Sequence, residues 1–418
     1  MSGDGGFAAA VAALRHRDFS IFWGAAVISN TGSFMQGVTV PFVIYELTGS
    51  SGWLGIAALC SLVPPVLVGP ASGAIADRYQ RRQVLIVTQI LQMIAAFVLW
   101  LLWASGHATV TSMLVTVVIG GLAGGINITS WQSFVPSLVP PENLLGAIRL
   151  NSIQFNVSRA MGPALAGLTL SSLGAGASFM VNAVTYILVI GALAVVHPRP
   201  NVATKSNRSF VTEFREGLRY IGERPGLLHS IVTGAMSSML VMGIVQQAPA
   251  IAERQLHTGG SGYGLLLAVQ GAGTLVCSMV LAVYADRVRR SRMTLSGLTT
   301  EVAAVVAMSL ATSVVTGVGA FAVLGVAQMM VVVSQQTSIQ VMVDDAYRGR
   351  VMSVYLMGTM LGPPVGAVVM GAIADATTLR TTLLLAASAM IVYISVATLK
   401  FNRLRGLDGT LAMAATTA

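Results

Sequence analysis

Charge is what this sequence has least of. Only 9% of its 418 residues are Asp, Glu, Lys or Arg, against roughly 25% in a soluble globular domain. With 55% hydrophobic residues and a mean hydropathy of +0.77, its surface cannot face water. That excludes a soluble enzyme, a disordered chain and a secreted disulfide scaffold. Lysine is almost missing: Lys205 and Lys400 are the only two, and neither follows a glycine-rich loop, so there is no P-loop for ATP hydrolysis. Cys60 and Cys277 both sit in apolar stretches, which argues against a disulfide or a cysteine-ligated metal. The five histidines are scattered without metal-ligand spacing, and no G-x-S-x-G elbow supports a membrane hydrolase. No enzyme chemistry, metal or cofactor is expected. The net charge of +9 is read as topology rather than as a nucleic-acid surface.

Apolar runs of about 20 residues are plentiful, and each is long enough to cross a bilayer as a helix. They fall at 20–46, 52–76, 83–104, 108–134, 148–172 and 174–196, then at 226–250, 263–285, 293–314, 316–343, 350–374 and 378–400. Arg15, His16, Arg17 and Asp18 precede a first run too long for a signal-peptide h-region, so it reads as an uncleaved span. With both termini cytoplasmic, 21 of the 24 Lys and Arg residues fall on the inner side, the expected positive-inside bias. Glycine (44) and methionine (21) suit close helix packing in lipid.

The chain also repeats itself. Ser51-Gly52-Trp53 recurs as Ser261-Gly262-Tyr263, Asp77-Arg78 as Asp286-Arg287, Arg81-Arg82 as Arg289-Arg290, Pro41 as Pro249, and Gly162-Pro163 as Gly362-Pro363. The order is kept and the offset stays between 200 and 210. Six spans per half give a parallel repeat, with a cavity expected between the copies. The expected organisation is an all-α membrane protein of twelve transmembrane helices. A six-helix bundle occupies 1–196, a cytoplasmic linker 197–225, a second bundle 226–400 and a cytoplasmic tail 401–418. Phe210, Phe214, Leu218 and Ile221 recur at helical spacing in the linker, as in an amphipathic helix lying on the inner membrane face.

Gly73-Ala-Ile-Ala-Asp77-Arg78-Tyr-Gln-Arg81-Arg82, between spans two and three, resembles the G-x-x-x-D-R-x-x-R-R loop of the major facilitator superfamily. Arg15-His-Arg-Asp-Phe19, Tyr45-Glu-Leu-Thr-Gly-Ser50 and Val139-Pro-Pro-Glu-Asn-Leu144 resemble its enterobactin-exporter and macrolide-efflux branch. The resemblance covers almost the whole chain. It implies a secondary transporter that moves drug-, macrolide- or siderophore-type cargo outward, with protons as the coupling ion and a monomeric state. On physical grounds the loop reads as a cytoplasmic latch, with Asp77 meeting arginines of its own turn and a neighbouring helix N-terminus. The second copy, Asp286, Arg287, Arg289 and Arg290, has Ala282 where the first has Gly73.

Span five carries Ser158-Arg-Ala-Met-Gly162-Pro163-Ala-Leu-Ala166-Gly167, and span eleven carries Gly358-Thr-Met-Leu-Gly362-Pro363-Pro-Val-Gly366-Ala367. Both are similar to the G-x-x-x-G-P-x-x-G-G pattern of drug antiporters in that superfamily. Glycine every fourth residue makes a flat contact face, and proline removes a backbone donor and bends a helix. Span four lacks the arginine that such antiporters often carry, so coupling through that residue is not expected.

Ionisable groups at membrane depth are functional candidates by default. Arg159 lies mid-span in five. Glu301 lies in span nine, where a snorkelling or packing role is expected. Glu46 and Glu253 stand at the outer ends of spans one and seven. Amides that need interior partners are Asn30, Gln36, Asn127, Gln132, Gln154, Asn156, Gln246, Gln247, Gln270, Gln335 and Gln336. Phe34, Trp131, Met357 and Met360 offer an apolar wall for hydrophobic cargo. The expected activity is export of amphipathic molecules by proton antiport with rocker-switch alternating access. The alternatives are a lipid flippase, an importer of small polar solutes, or a non-transporting sensor.

Overall fold

A computed structural model describes residues 12–199, 210–284 and 288–399. They are helical almost throughout. In chain order the helices are α1 (Arg17–Thr48), α2 (Ser51–Arg78), α3 (Arg81–Ala104), α4 (Val110–Phe134), α5 (Leu144–Ser172), α6 (Ala175–Val195), α7 (Phe210–Gly222) and α8 (Pro225–Ser237). After α8 come a π-helical segment Ser238–Met242, the short α9 (Gly243–Gln246) and α10 (Ala248–Ala250), and a second π segment, Ile251–Gln255. They are followed by α11 (Gly259–Tyr284), α12 (Arg290–Ser309), α13 (Val314–Met342), α14 (Arg348–Ala376) and α15 (Leu379–Leu399). Among the described residues, nine helical stretches are long and apolar enough to cross a membrane. The other three expected span positions are occupied by α1, α5 and α12, helices of 32, 29 and 20 residues. The expected tail at 401–418 lies outside the described residues, as do Asp286 and Arg287.

The chain forms two compact units: Met1–Thr48 with Cys60–Ser206, and Gly49–Leu59 with Asn207–Ala418. The opening turns of α2 thus belong to the second unit. In the first unit, α1 packs on α5 and α6, and α3 packs on α4 and α6. Phe22 anchors one core, its ring 4.5 Å from Trp131 and 5.3 Å from Phe134. In the second unit, α13 packs on α11 and α12, and α14 packs on the first π segment and on α8.

Equivalent local chemistry is built twice. Thr109 and Ser112 form a reciprocal capping box at the start of α4, and Ser313 and Thr316 form another at the start of α13. Each box satisfies donors that the first turn leaves without helical partners. Both helices start where those signals stand.

Two expectations need correcting. Span seven, 226–250, is not one continuous α-helix but is interrupted by the π segment Ser238–Met242, and a second π segment follows its expected end. Such segments insert an extra residue and occur frequently at functional sites. The linker helix, α7, docks on protein rather than only lying on the membrane face. Tyr220 and Ile221 are buried in a cluster with Leu227, Ile339 and Val351, while Leu218 is exposed. Glu216 pairs with Arg350 at 2.8 Å, and Tyr220 Oη donates to Asp344 at 2.8 Å. The helices α5 and α14 run through Pro163 and through Pro363–Pro364 without a break.

Candidate functional site

Polar side chains gather inside each unit, as lipid-facing packing requires. In the first unit, Ser33 Oγ of α1 lies 3.1 Å from Tyr186 Oη of α6, and Tyr186 Oη donates to Gln92 Oε1 of α3 at 3.5 Å. Asn127 Nδ2 of α4 donates to Thr88 Oγ1 at 2.9 Å. Gln36 Oε1 accepts from Asn182 Nδ2 at 2.8 Å. A cavity of about 160 Å³ opens against Ser33, Gln36, Ser61, Gln92, Thr116 and Tyr186. Asn127 is therefore a helix-to-helix tie, whereas Gln36 both ties α6 and lines space.

The second unit repeats the tie. Gln335 Nε2 of α13 donates to Thr294 Oγ1 of α12 at 2.9 Å, offset by 208 and 206 residues from Asn127 and Thr88. Gln270 donates to Gln328 at 3.2 Å, and Gln247 Nε2 reaches the carbonyls of Ala367 (3.1 Å) and Ser51 (3.3 Å). Gln336 instead faces a cavity of about 140 Å³ shared with Ser237, Ser238, Gln328, Tyr355 and Thr359. Asn30 and Gln246 are half-buried and Gln132 is exposed, while Gln154 is buried and donates to the Ala26 carbonyl at 3.2 Å.

Glycines set how closely these walls approach. Gly162 faces Phe34 and Met35 of α1, and Gly362 faces Met239 of the first π segment. Gly366 faces the Met239 carbonyl so closely that a methyl group there would overlap its oxygen. Gly358 meets only Ala235, at ordinary contact distance, and Gly167 is buried. The glycine pattern of α14 thus presses the helix onto the π segment. Met357 is half-buried, and Met360 is exposed with no role in lining the cavity.

The charged candidates separate clearly. Of the two roles expected for Glu301, snorkelling is excluded, because the side chain is fully buried, and Ser237 Oγ donates to its Oε1 at 2.7 Å. Its other oxygen has no hydrogen-bond partner. The helix carrying it packs against α13 and α15. Arg159 is exposed on the α5 face that also carries Ser152 and Asn156, and Asn156 Nδ2 donates to the Ser152 carbonyl at 2.9 Å. Among the described residues no carboxylate pairs with Arg159. Glu46 is exposed, and Glu253 is exposed within the second π segment.

The inner loop motif is only partly described. Gly73 and Asp77 lie in the last turns of α2, and their side chains are outside the described set. Arg78 and Arg289 are exposed, and Arg290 opens α12, its carbonyl accepting from Ser334 at 2.9 Å. Arg81 donates to the Ser133 carbonyl of α4 at 3.0 Å, and Arg82 donates to the Leu193 and Ala194 carbonyls of α6 at 2.5 Å each. Those are the orphan acceptors at a helix C-terminus, where a cation is also favoured electrostatically. Arg82→Ala should therefore cost about 1–3 kcal/mol of first-unit stability. It should lower the melting temperature in detergent, and Arg82→Lys should rescue only part of the loss, because the flexible ammonium lacks the planar, preorganised fork that Nε and Nη2 present to the two carbonyls. An unchanged melting temperature in Arg82→Ala would remove this assignment.

Sequence reasoning missed Asp375, near the end of α14. Its carboxylate accepts from Ser50 Oγ (2.5 Å), the Ser51 amide (2.8 Å) and the Gly52 amide (2.8 Å), which caps the start of α2. Arg254 meets the Gly49 carbonyl beside it. A signal was available: Gly371-Ala-Ile-Ala-Asp375 repeats Gly73-Ala-Ile-Ala-Asp77 letter for letter.

Polar cavities enclosed by apolar helices, with few charges inside the spans, are the architecture of a multi-pass membrane transporter. Residues 8–416 match the family described as transmembrane secretion effector, a branch of the major facilitator superfamily, and the chain belongs to it. It is 21% identical over 397 residues to macrolide efflux protein A of Streptococcus pyogenes, covering 93% of this chain and 97% of that one. It is 26% identical over 406 residues to the multidrug efflux pump Tap of Mycobacterium tuberculosis, covering 92% and 93%. Its fold is similar to a bacterial homologue of the human lysosomal transporter Spinster in an inward-facing, unoccupied conformation. There the TM-score is 0.74 at 16% identity, with 94% of this chain and 98% of that one covered. It is a multi-pass protein of the cell membrane.

Proposed function

We propose that this transporter exports amphipathic small molecules of the drug, macrolide or siderophore type in exchange for protons, by alternating access between two six-helix bundles with cytoplasmic termini. The observation that carries the direction is the near full-length similarity to an efflux protein and a multidrug efflux pump. The twelve-span reading is supported by the helices at α1, α5 and α12. Positive-inside loops support the orientation. Cargo contacts are assigned to Gln36 and Gln336, which line cavities, and to Arg159, whose charge suits an acidic or polar group on the cargo. The Asp77 loop serves as the cytoplasmic latch.

The test is uptake and release of ethidium and erythromycin in cells and in proteoliposomes with and without an imposed pH gradient. Expression should lower accumulation of both compounds, and a protonophore should abolish the effect. Accumulation that rises on expression would make the protein an importer. Indifference to the protonophore and to the gradient would remove proton coupling. Asp77→Asn should reach the membrane but slow export about tenfold, within the range for a charge at a helix terminus. Wild-type transport by that variant would discard the latch.

A further inference from the structure

Glu301 offers more than a buried acid. It sits in the middle of α12, completely buried, at the point where α8 gives way to the first π segment. Ser237, the last residue of α8, donates to its Oε1 and also lines the 140 Å³ cavity with Ser238, Gln336 and Tyr355. One hydroxyl therefore separates the carboxyl from a cavity of about 140 Å³, room enough for water. Oε2 has no hydrogen-bond partner.

Among the described residues no Lys, Arg or His forms an ion pair with Glu301. Helix α13, packed along α12, has no titratable side chain anywhere between Val314 and Met342. From α15 come Arg380 and Tyr393, and Tyr393 Oη is engaged with Thr233 Oγ1 at 2.5 Å. From α8 comes His229, two turns before Ser237 and stacked at 6.4 Å on Tyr393. From α14 comes Tyr355, packed on Gly234. The nearest cations on its own helix, Arg292 and Arg290, are nine and eleven residues back, about 14–17 Å along the axis. An ionised Glu301 in this arrangement would be a buried charge with a single hydrogen bond, which costs several kcal/mol. Losing the proton therefore requires the walls to rearrange, and the wall beside it is the π segment, whose extra residue gives the helix a second way to hydrogen-bond.

We propose that Glu301 is the proton-carrying site of this transporter, coupled to cargo through Ser237 and the π segment Ser238–Met242. The inference rests on the proton-antiport reading and names its site. The proton leaves the carboxyl for water in the cavity, and Glu301 becomes a carboxylate that draws Ser237 and the π-segment groups towards it. Cargo in the same cavity then meets a rearranged wall, and reprotonation from the other side restores the first one.

Glu301→Gln is the decisive variant. It keeps the shape and the acceptor for Ser237 but has no proton to release. Full-length protein in liposomes is assayed two ways with radiolabelled erythromycin: exchange across the membrane without a gradient, and accumulation driven by a pH step. With one proton exchanged, a step of about one pH unit supports about tenfold accumulation. Wild type should show that accumulation, whereas Glu301→Gln should exchange erythromycin at a comparable rate and accumulate none. Proton release on adding erythromycin to weakly buffered detergent solution should vanish in the same variant. Ser237→Ala, which leaves the acid in place, should retain release at a shifted pH. If wild type and Glu301→Gln both accumulate, antiport stands and this site is overturned. If wild type itself ignores the gradient, antiport falls and the site falls with it. Should Glu301→Gln fail to exchange, an unshifted release profile in Ser237→Ala overturns the proposal and a shifted one upholds it.

Discussion

Gly366→Leu should leave almost no folded protein in detergent extracts, whereas Gly191→Leu, also in a membrane helix, should extract at the wild-type level. The two glycines have the same chemistry and opposite surroundings. Gly191 has no atom within 4 Å of where a Cβ would stand. Gly366 stands against the Met239 carbonyl, and from the other side Gly243 meets the Gly366 backbone, its own added carbon 2.9 Å from Gly366 C. Side chains in an overfilled core give way at about 1–3 kcal/mol. Here the atoms in the way are backbone, and they belong to a π segment whose hydrogen bonds would have to move with them. A leucine therefore separates α14 from the π segment altogether, against a total stability of about 5–15 kcal/mol for a typical fold. Size-exclusion profiles and melting curves of the two variants decide the matter. A monodisperse Gly366→Leu protein melting within a few degrees of wild type would mean that the contact does not exist in the membrane.

How much of this could be read from the letters follows from what each signal encodes. Span positions were legible because hydropathy is a local property, and the capping residues Thr109 and Ser313 mark helix starts for the same reason. The duplication was legible at five places. A sixth, the Thr88–Asn127 and Thr294–Gln335 ties, lay at the same offset but joins residues on different helices, so no linear motif displays it. The π segment was not legible. Ser238-Met-Leu-Val-Met242 contains neither proline nor glycine, and the glycine-rich face of α14 that packs against it lies far away in the chain. The sequence left Glu301 between snorkelling and packing because the face of a helix can be read from period but the identity of its neighbour cannot. Asp375 was missed because its pentapeptide recurs 298 residues after the first copy, off the offset of the duplication.

Asp375→Ala should speed hydrogen exchange of the Ser51 and Gly52 amides about 30-fold, and Asp375→Asn should fall between that variant and wild type. The magnitude follows from helix capping, in which removing an aspartate costs up to about 2 kcal/mol. Three donors converge on this one, which places it at the upper end. Each 1.4 kcal/mol multiplies the open population about tenfold. Asparagine keeps one acceptor oxygen and loses the charge, so it retains part of the cap. The start of α4 supplies the internal control, because the Thr109–Ser112 box does not involve Asp375 and its exchange should not change. Gly371, one turn before Asp375, faces the Ser51 carbonyl with no room for a side chain, so the pentapeptide delivers both the close approach and the charge. The same pentapeptide stands at the end of α2, with Asp77 in the place of Asp375. If exchange at Ser51 and Gly52 is the same in all three proteins, the carboxylate does not hold the start of α2, and the argument for an equivalent role at Asp77 loses its structural precedent.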